Sequence, residues 1–210
     1  MQTINIKIAS DVVCPWCYVG KKELEIAMEE LKNDFRFEVQ FLPYELAPDM
    51  PIEGEDFRTH ITAKYGDWNK FLERSTFLEE RGKTLGINFS IKDLGISPNT
   101  FLMHRIIQFA YQSGIQSKVK EAYMRAYFEE FVDLTDLENV VRIAAENGMD
   151  EEQVRALING NEGEEEVRAL QENLRALGIS GVPFFIINDQ YGISGAVPAK
   201  ELIAAFNSLK

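Results

Sequence analysis

Two strand-like stretches flank a helical one, and both cysteines of the chain sit at the first junction. That order is the strongest constraint on what this sequence can fold into. Ile4, Ile6 and Ile8 alternate with polar residues, so residues 3–9 read as a strand that Ser10-Asp11 ends. Cys14 and Cys17 follow at once, around Pro15-Trp16. From Cys14 to Leu31 the pattern turns helical, with Leu24, Met28 and Leu31 on one stripe and Asn33-Asp34 as the stop. Phe35, Phe37, Val39 and Phe41 then alternate in a second strand ending at Pro43. The result is a βαβ unit with its cysteines at the strand-to-helix turn.

Cysteines at this spacing can close a disulfide, supply half of a zinc site, or fill a core. Zinc needs four ligands, and the only histidines, His60 and His104, lack close histidine spacing, so no metal is expected. Core filling fits poorly with a position at a turn rather than on an apolar face. Thiol chemistry remains. At a helix N-terminus Cys14 has free backbone N–H groups and the positive end of the dipole beside it, both of which favour its thiolate. Asp11 pushes the other way, and Trp16 brings no charge. Pro15 suits the first turn, where its missing N–H has no helical partner to lose. Cys17, one turn further in, is placed to attack a mixed disulfide formed by Cys14.

Composition removes whole classes of function. With 210 residues, 45% of them hydrophobic and 27% charged, the chain has ample length for a buried core and reads as folded and soluble. Its net charge of −12 repels phosphate backbones and anionic lipid, so nucleic acid and membrane are not expected partners. No apolar run is long enough to span a bilayer, and the first residues lack a basic segment followed by an apolar one. The expectation is therefore a cytoplasmic protein, where Cys-x-x-Cys is redox-active or metal-binding rather than a structural staple.

The middle of the chain differs in kind. After a linker with Pro43, Pro48 and Pro51, helical patterns follow one another over 56–65, 67–85, 98–113, 115–131, 136–147 and 151–159. Ser97-Pro98 marks one start; Thr135 with Glu138 and Asp150 with Gln153 read as capping boxes at two others. Only Ile87 to Ile91 alternates in a strand-like way. The acidic run Glu162 to Glu166 reads as a solvated helix start, followed by a helix over 164–177 that ends at Gly178. A strand opened by Pro183, a turn at Asn188-Asp189, a short strand over Tyr191 to Ser194 and a helix over 198–209 complete the chain. Without the helical block, βαβ followed by αββα is the thioredoxin topology.

Four stretches carry a resemblance: "SDVVCPWCYVG" at 10–20, "PNTFLMHRII" at 98–107, "EAYMRAYFEEFVDLTD" at 121–136 and "GISGVPFFIINDQYGISGAVP" at 178–198. Together they resemble the DsbA-like branch of the thioredoxin superfamily, close to FrnE-type oxidoreductases and related to the 2-hydroxychromene-2-carboxylate isomerases. Met103 stands where that family more often has Ala. The resemblance implies an α/β, thioredoxin-like fold with a large all-helical insertion, residues 1–45 and 163–210 forming the thioredoxin-like part and 46–162 the insertion. It implies a redox-active Cys14–Cys17 disulfide and no other cofactor. It also implies a cis Pro183 facing the cysteines, with the backbone of Val182 pairing with an incoming peptide. Pro15, Trp16, Val182 and Pro183 are the substrate-contact candidates, Cys14 the nucleophile and Cys17 the resolving thiol.

Expected partners are protein or peptide disulfides, with glutathione or a thioredoxin-type protein as reductant, and the chain is expected to be a monomer or weak dimer. Two other functions stay open. One is a glutathione-dependent isomerase of aromatic small molecules, whose members typically carry serine at the position of Cys14. The other is an adaptor that delivers a regulator to a protease without turnover. His104 is expected to pack or hydrogen-bond rather than catalyse. Tyr65, Trp68, Phe71, Tyr123, Tyr127 and Phe128 read as helical core, or as an apolar roof over the groove. Glu45, Asp67 and the glutamate run read as surface.

Overall fold

Strand β1 (Gln2–Ser10) lies parallel to β2 (Phe35–Pro43) along its whole length, Gln2 opposite Phe35 and Ser10 opposite Pro43. The computed structural model describes residues 1–209. The connection between these strands is helix α1 (Pro15–Glu30). On the other side of β1 runs antiparallel β5 (Phe184–Ile187), which is itself paired with β6 (Tyr191–Ser194), so the sheet order is β2-β1-β5-β6. Asn188, Asp189 and Gln190 join β5 to β6; the Gln190 amide donates to the Ile187 carbonyl at 3.0 Å, and Asn188 and Asp189 at the centre of that turn both have positive φ (52° and 55°), the left-handed pair of a type I′ turn.

Period-two alternation sorts the sheet's side chains to two faces. Ile4, Ile6 and Ile8 pack with Leu24 and Ala27 of α1, with Leu31 that caps its C-terminus, and with Leu202 and Phe206 of the last helix, α9 (Ala199–Asn207). Ala9 and Leu42 turn to the opposite face and meet Leu174 of α8 (Glu164–Ala176). This is the expected thioredoxin-like arrangement, one helical layer on each side of a mixed sheet.

Between β2 and α8 come β3 (Glu55–Asp56), α2 (Phe57–Tyr65), α3 (Trp68–Thr84), β4 (Ile96–Ser97), α4 (Phe101–Gln112), α5 (Gln116–Phe128), α6 (Leu137–Glu146) and α7 (Glu151–Asn159). Cys14, Cys17, Tyr18 and Val19 belong to the same buried cluster as Met103, Tyr123, Phe128 and Val154 from these helices. The cysteines are therefore enclosed by the helical block and not by the sheet alone.

Three local expectations are corrected. Ser97-Pro98 does not start a helix: the residue before a proline is driven to extended backbone, so Ser97 pairs with Glu55 in the β3–β4 ladder and α4 begins at Phe101. Thr135 does not cap α6, because its amide and hydroxyl are both taken by the Asp133 carboxylate (2.8 and 2.6 Å). Asp136 accepts from the Glu138 amide at 2.9 Å instead. The alternation from Ile87 to Ile91 is loop packing: Ile87, Phe89 and Ile91 are buried, but the Asn88 and Ile91 amides donate to the carboxylates of Glu129 and Glu79 rather than to a strand. Asp150 caps α7 through the Gln153 amide, as the pattern indicates.

Of the acidic residues expected at the surface, Asp67, Glu162, Glu165 and Glu166 are exposed, while Glu45 and Glu164 are half-buried. Glu45 accepts from Gln171 at 3.0 Å; Glu164 and Glu166 reach back to Arg105 and Gln108 of α4. Asp67 caps α3. Among the aromatic residues, Tyr123, Tyr127 and Phe128 are core, Trp68 and Phe71 are half-buried, and Tyr65 is 54% exposed. No helix among the described residues is long and apolar enough to cross a membrane.

Candidate active site

Cys14 is the N-cap of α1, in extended backbone, with Pro15 filling the first helical position. A cap side chain points back at the unpaired amides of the first turn, and the Cys17 amide accordingly donates to the Cys14 sulfur at 3.3 Å. Both thiols are free and both are buried, at 4% and 2% exposure. The Cys14 thiol donates to the carbonyl of Val182 at 3.7 Å. The Val182–Pro183 peptide is cis. This close approach of the 182–183 loop depends on Gly20 of α1, where an added Cβ would lie 3.1 Å from the Pro183 ring and 3.3 Å from Phe185.

Behind the cysteines lies a group of buried polar residues. Asp11 is fully buried and accepts from the Leu46 amide at 2.8 Å, with His104 Nε2 at 3.3 Å from its other oxygen. The same Nε2 is 3.1 Å from the Tyr44 carbonyl, which can only accept, so Nε2 carries the hydrogen. His104 thus has the hydrogen-bonding role expected of it, and it does not line the cleft. Lys120 of α5 is 1% exposed, and its ammonium donates to the Ser10 carbonyl at 3.4 Å beside the Phe41 ring.

These neighbours set the protonation of the site. Burial pushes the Cys14 thiol well above the ordinary range, with the adjacent Cys17 sulfur and Asp11 adding to it and the Cys17 amide opposing. Burial raises Cys17 as well, but the Cys14 thiol, Ser10 and the Lys120 ammonium outweigh it and hold Cys17 below its usual value. The two sulfurs therefore titrate as a unit, the first negative charge resting on Cys17 rather than, as the helix end alone suggests, on Cys14, and a second being opposed by the first. Lys120 is lowered to about 8 by burial, against the pull of Cys17, Asp11 and Cys14. Asp11 stays below the usual carboxylate value because His104 and the Leu46 amide outweigh its burial.

The Cys14 side opens on a cleft of about 390 Å³ between the thioredoxin-like part and the helical block. Pro15, Trp16 and Val182 form its near wall; Phe57, Phe71, Leu78 and Phe128 are among the apolar residues of the far wall. Trp16 reaches across to Phe77 of α3, ring centroids 6.0 Å apart. Cys17 does not line the cleft, and Pro183 turns against Gly20 instead. All six sequence candidates, Cys14, Pro15, Trp16, Cys17, Val182 and Pro183, are gathered at one place. The apolar-roof reading holds for Tyr65, Phe71, Tyr127 and Phe128, all of which line the cleft, and not for Trp68 or Tyr123.

Sequence reasoning missed Lys120, although a signal was present. Gln116, Val119, Lys120, Tyr123 and Tyr127 fall on one helical stripe that is buried throughout, so a lysine stands where the period calls for an apolar residue. Among the described residues no group of three or more His, Cys, Asp or Glu is placed to share a metal ion.

The DSBA-like thioredoxin domain model matches residues 5–207. A probable DsbA oxidoreductase from Streptomyces coelicolor superposes with a TM-score of 0.90 at 30% identity, covering 98% of this chain and 89% of that one. A 2-hydroxychromene-2-carboxylate isomerase superposes at 0.73 with 15% identity, covering 98% and 95%, a likeness of fold. An uncharacterised Bacillus subtilis (strain 168) protein, YwbO, is 26% identical over 188 residues, 89% of this chain and 88% of its own length.

Proposed function

This chain belongs to the DSBA-like thioredoxin domain family, and from that premise we propose that it exchanges thiols and disulfides with protein or peptide substrates. Cys14 is the nucleophile. Its sulfur, passing its proton to the charged Cys17, attacks one sulfur of a substrate disulfide and displaces the other as a thiolate, leaving a mixed disulfide on Cys14. Cys17, one turn behind, then attacks the Cys14 sulfur, closes Cys14–Cys17 and releases the substrate fully reduced. The reverse sequence oxidises a dithiol.

The single observation that carries this reading is the setting of the Cys14 sulfur. It lines the cleft, accepts the Cys17 amide at 3.3 Å and lies 3.7 Å from the Val182 carbonyl. An extended substrate laid beside Val182 would bring its disulfide onto that sulfur. The Lys120 ammonium behind the pair supports the thiolate electrostatically. Glutathione or a thioredoxin-type protein would serve as reductant, and no group beyond the cysteine pair is needed for the electron transfer.

Titration of the two thiols against a graded glutathione buffer, read by alkylation and mass, tests the proposal. A two-electron transition between dithiol and Cys14–Cys17 disulfide is expected, and its midpoint fixes the favoured direction. Failure of the disulfide to form at any poise would overturn the reading in favour of binding without turnover.

A further inference from the structure

We propose that the cleft beside Cys14 selects disulfides whose sulfur is carried on an aromatic group bearing a carboxylate, the ring lying in the cleft and the carboxylate meeting Arg74 and Lys64. The inference rests on the exchange chemistry proposed above and names the substrate class of that same site. Its starting point is the cleft itself. At about 390 Å³ it falls within the size range of small-molecule sites, and it extends from Val182 to residues of α2, α3 and α5. Phe57, Phe71, Tyr127 and Phe128 offer aromatic faces and edges to a planar group.

Charge supplies the second observation. Of the cleft-lining residues only Asp11 is acidic, and it is fully buried and committed to Leu46 and His104. Three lining residues can be cationic. His60 is matched by Glu55 at 3.0 Å. Lys64 has no carboxylate partner among the described residues; its ammonium donates to the Leu46 carbonyl at 3.3 Å and stands 5.8 Å from the Tyr65 ring. Arg74 has neither a hydrogen bond nor an ion pair among the described residues. The helix explains why: one turn away on either side stand Lys70, Phe71, Phe77 and Leu78, none of them acidic. In a chain of net charge −12, two cations without carboxylates at the mouth of an apolar cleft are complementary to an anionic group with an apolar body. A guanidinium fork receives a carboxylate in a bidentate manner.

The chemistry balances without a further reactant. The Cys14 sulfur, its proton passed to Cys17, attacks the aryl disulfide, forming a mixed disulfide between Cys14 and one aryl sulfur and expelling the other as an aryl thiolate. Cys17 loses its proton to solvent and attacks Cys14, expelling the second aryl thiolate as the Cys14–Cys17 bond forms. The protein loses two electrons and the reagent gains them.

The test uses the reduced protein and stopped-flow rates with three disulfides: dithiobis(nitrobenzoate), aromatic and anionic; dithiodipyridine, aromatic and neutral; and dithiodipropionate, anionic without a ring. Each rate is divided by that of free cysteine with the same reagent. The wild type is expected to favour dithiobis(nitrobenzoate) over both others. Arg74→Glu with Lys64→Glu is expected to lower that rate about tenfold while dithiodipyridine changes by less than about twofold, the neutral rate reporting an intact site. Equal changes with both aromatic reagents, or no change with either, would overturn the charge assignment. Equal preference for dithiodipropionate would overturn the role of the ring. If no reagent oxidises Cys14 in the wild type, it is the exchange reading that fails, a result distinct from loss of selectivity alone.

Discussion

The Cys17 amide donates to the sulfur of Cys14 at 3.3 Å, so the thiol that faces the cleft is also the one held by the free end of α1. Cys17 lies behind it on the same helix and does not reach the cleft. The two cysteines should therefore fail differently. Cys14→Ser is expected to abolish reaction with any disulfide reagent. Cys17→Ser should still react once, within about threefold of the wild-type rate, and then stall as a mixed disulfide that mass spectrometry detects.

Lys120 couples charge to redox state. Its ammonium stabilises the thiolate of the reduced pair, and that partner vanishes when the disulfide forms. Lys120→Met removes the stabilisation, so the reduction potential should fall, on the order of 30 mV for each 1.4 kcal/mol of thiolate stabilisation lost. The measurement is the midpoint of the same glutathione titration.

The same lysine makes a prediction about stability. Its pKa is about 8 in the folded, reduced protein against 10.5 as the ordinary value, so between those pH values the unfolded chain binds more protons. Stability should rise with pH across that window in the wild type and not in Lys120→Met. At pH 7 the variant avoids burying a charge and should be the more stable by about 3 kcal/mol, as denaturant melts at pH 7 and 10 would register.

Asp11 opposes the thiolate and stabilises the fold. Its carboxyl is held below the usual value, so its contribution is present above that ordinary value and is lost as the pH falls through the lowered one. Asp11→Asn removes a buried negative charge beside Cys14. Alkylation of Cys14 at pH 6 should then quicken several-fold, while the weakened bonds to Leu46 and His104 cost about 1–3 kcal/mol in thermal or denaturant melts.

Gly20→Val tests the approach of the 182–183 loop. A side chain there meets Pro183 and Phe185 at closer than ordinary contact, and overpacking of this kind costs about 1–3 kcal/mol. The displaced loop carries the Val182 carbonyl away from Cys14, so the exchange rate should fall together with the melting temperature.

What could be read in the chain beforehand was whatever depends on neighbours a few residues apart. The alternation of Ile4, Ile6 and Ile8, the stripe of Leu24, Met28 and Leu31, the Asp150 cap and the Asn188-Asp189 turn each follow from the period or torsion of one backbone segment. The cysteines were legible for the same reason, since a strand ending at Ser10 and a helix starting at Pro15 place Cys14 at the helix end regardless of the rest. Where two local signals competed, the reading failed: Pro98 looked like a helix start, but its effect on Ser97 was decisive, and Thr135 lost its cap to Asp133.

By itself, then, the sequence determined the order of strands and helices and the position of the thiols at a helix N-terminus, because hydrogen-bond spacing and side-chain period are properties of short segments. Only the tertiary structure decided what surrounds those thiols. Ser10, Asp11, His104 and Lys120 come from β1 and its following turn, α4 and α5, and they meet because apolar stripes on separate helices bury against one another and fix each helix's rotation. No local pattern encodes that rotation. The same long-range packing opens the cleft and leaves Arg74 and Lys64 at its mouth.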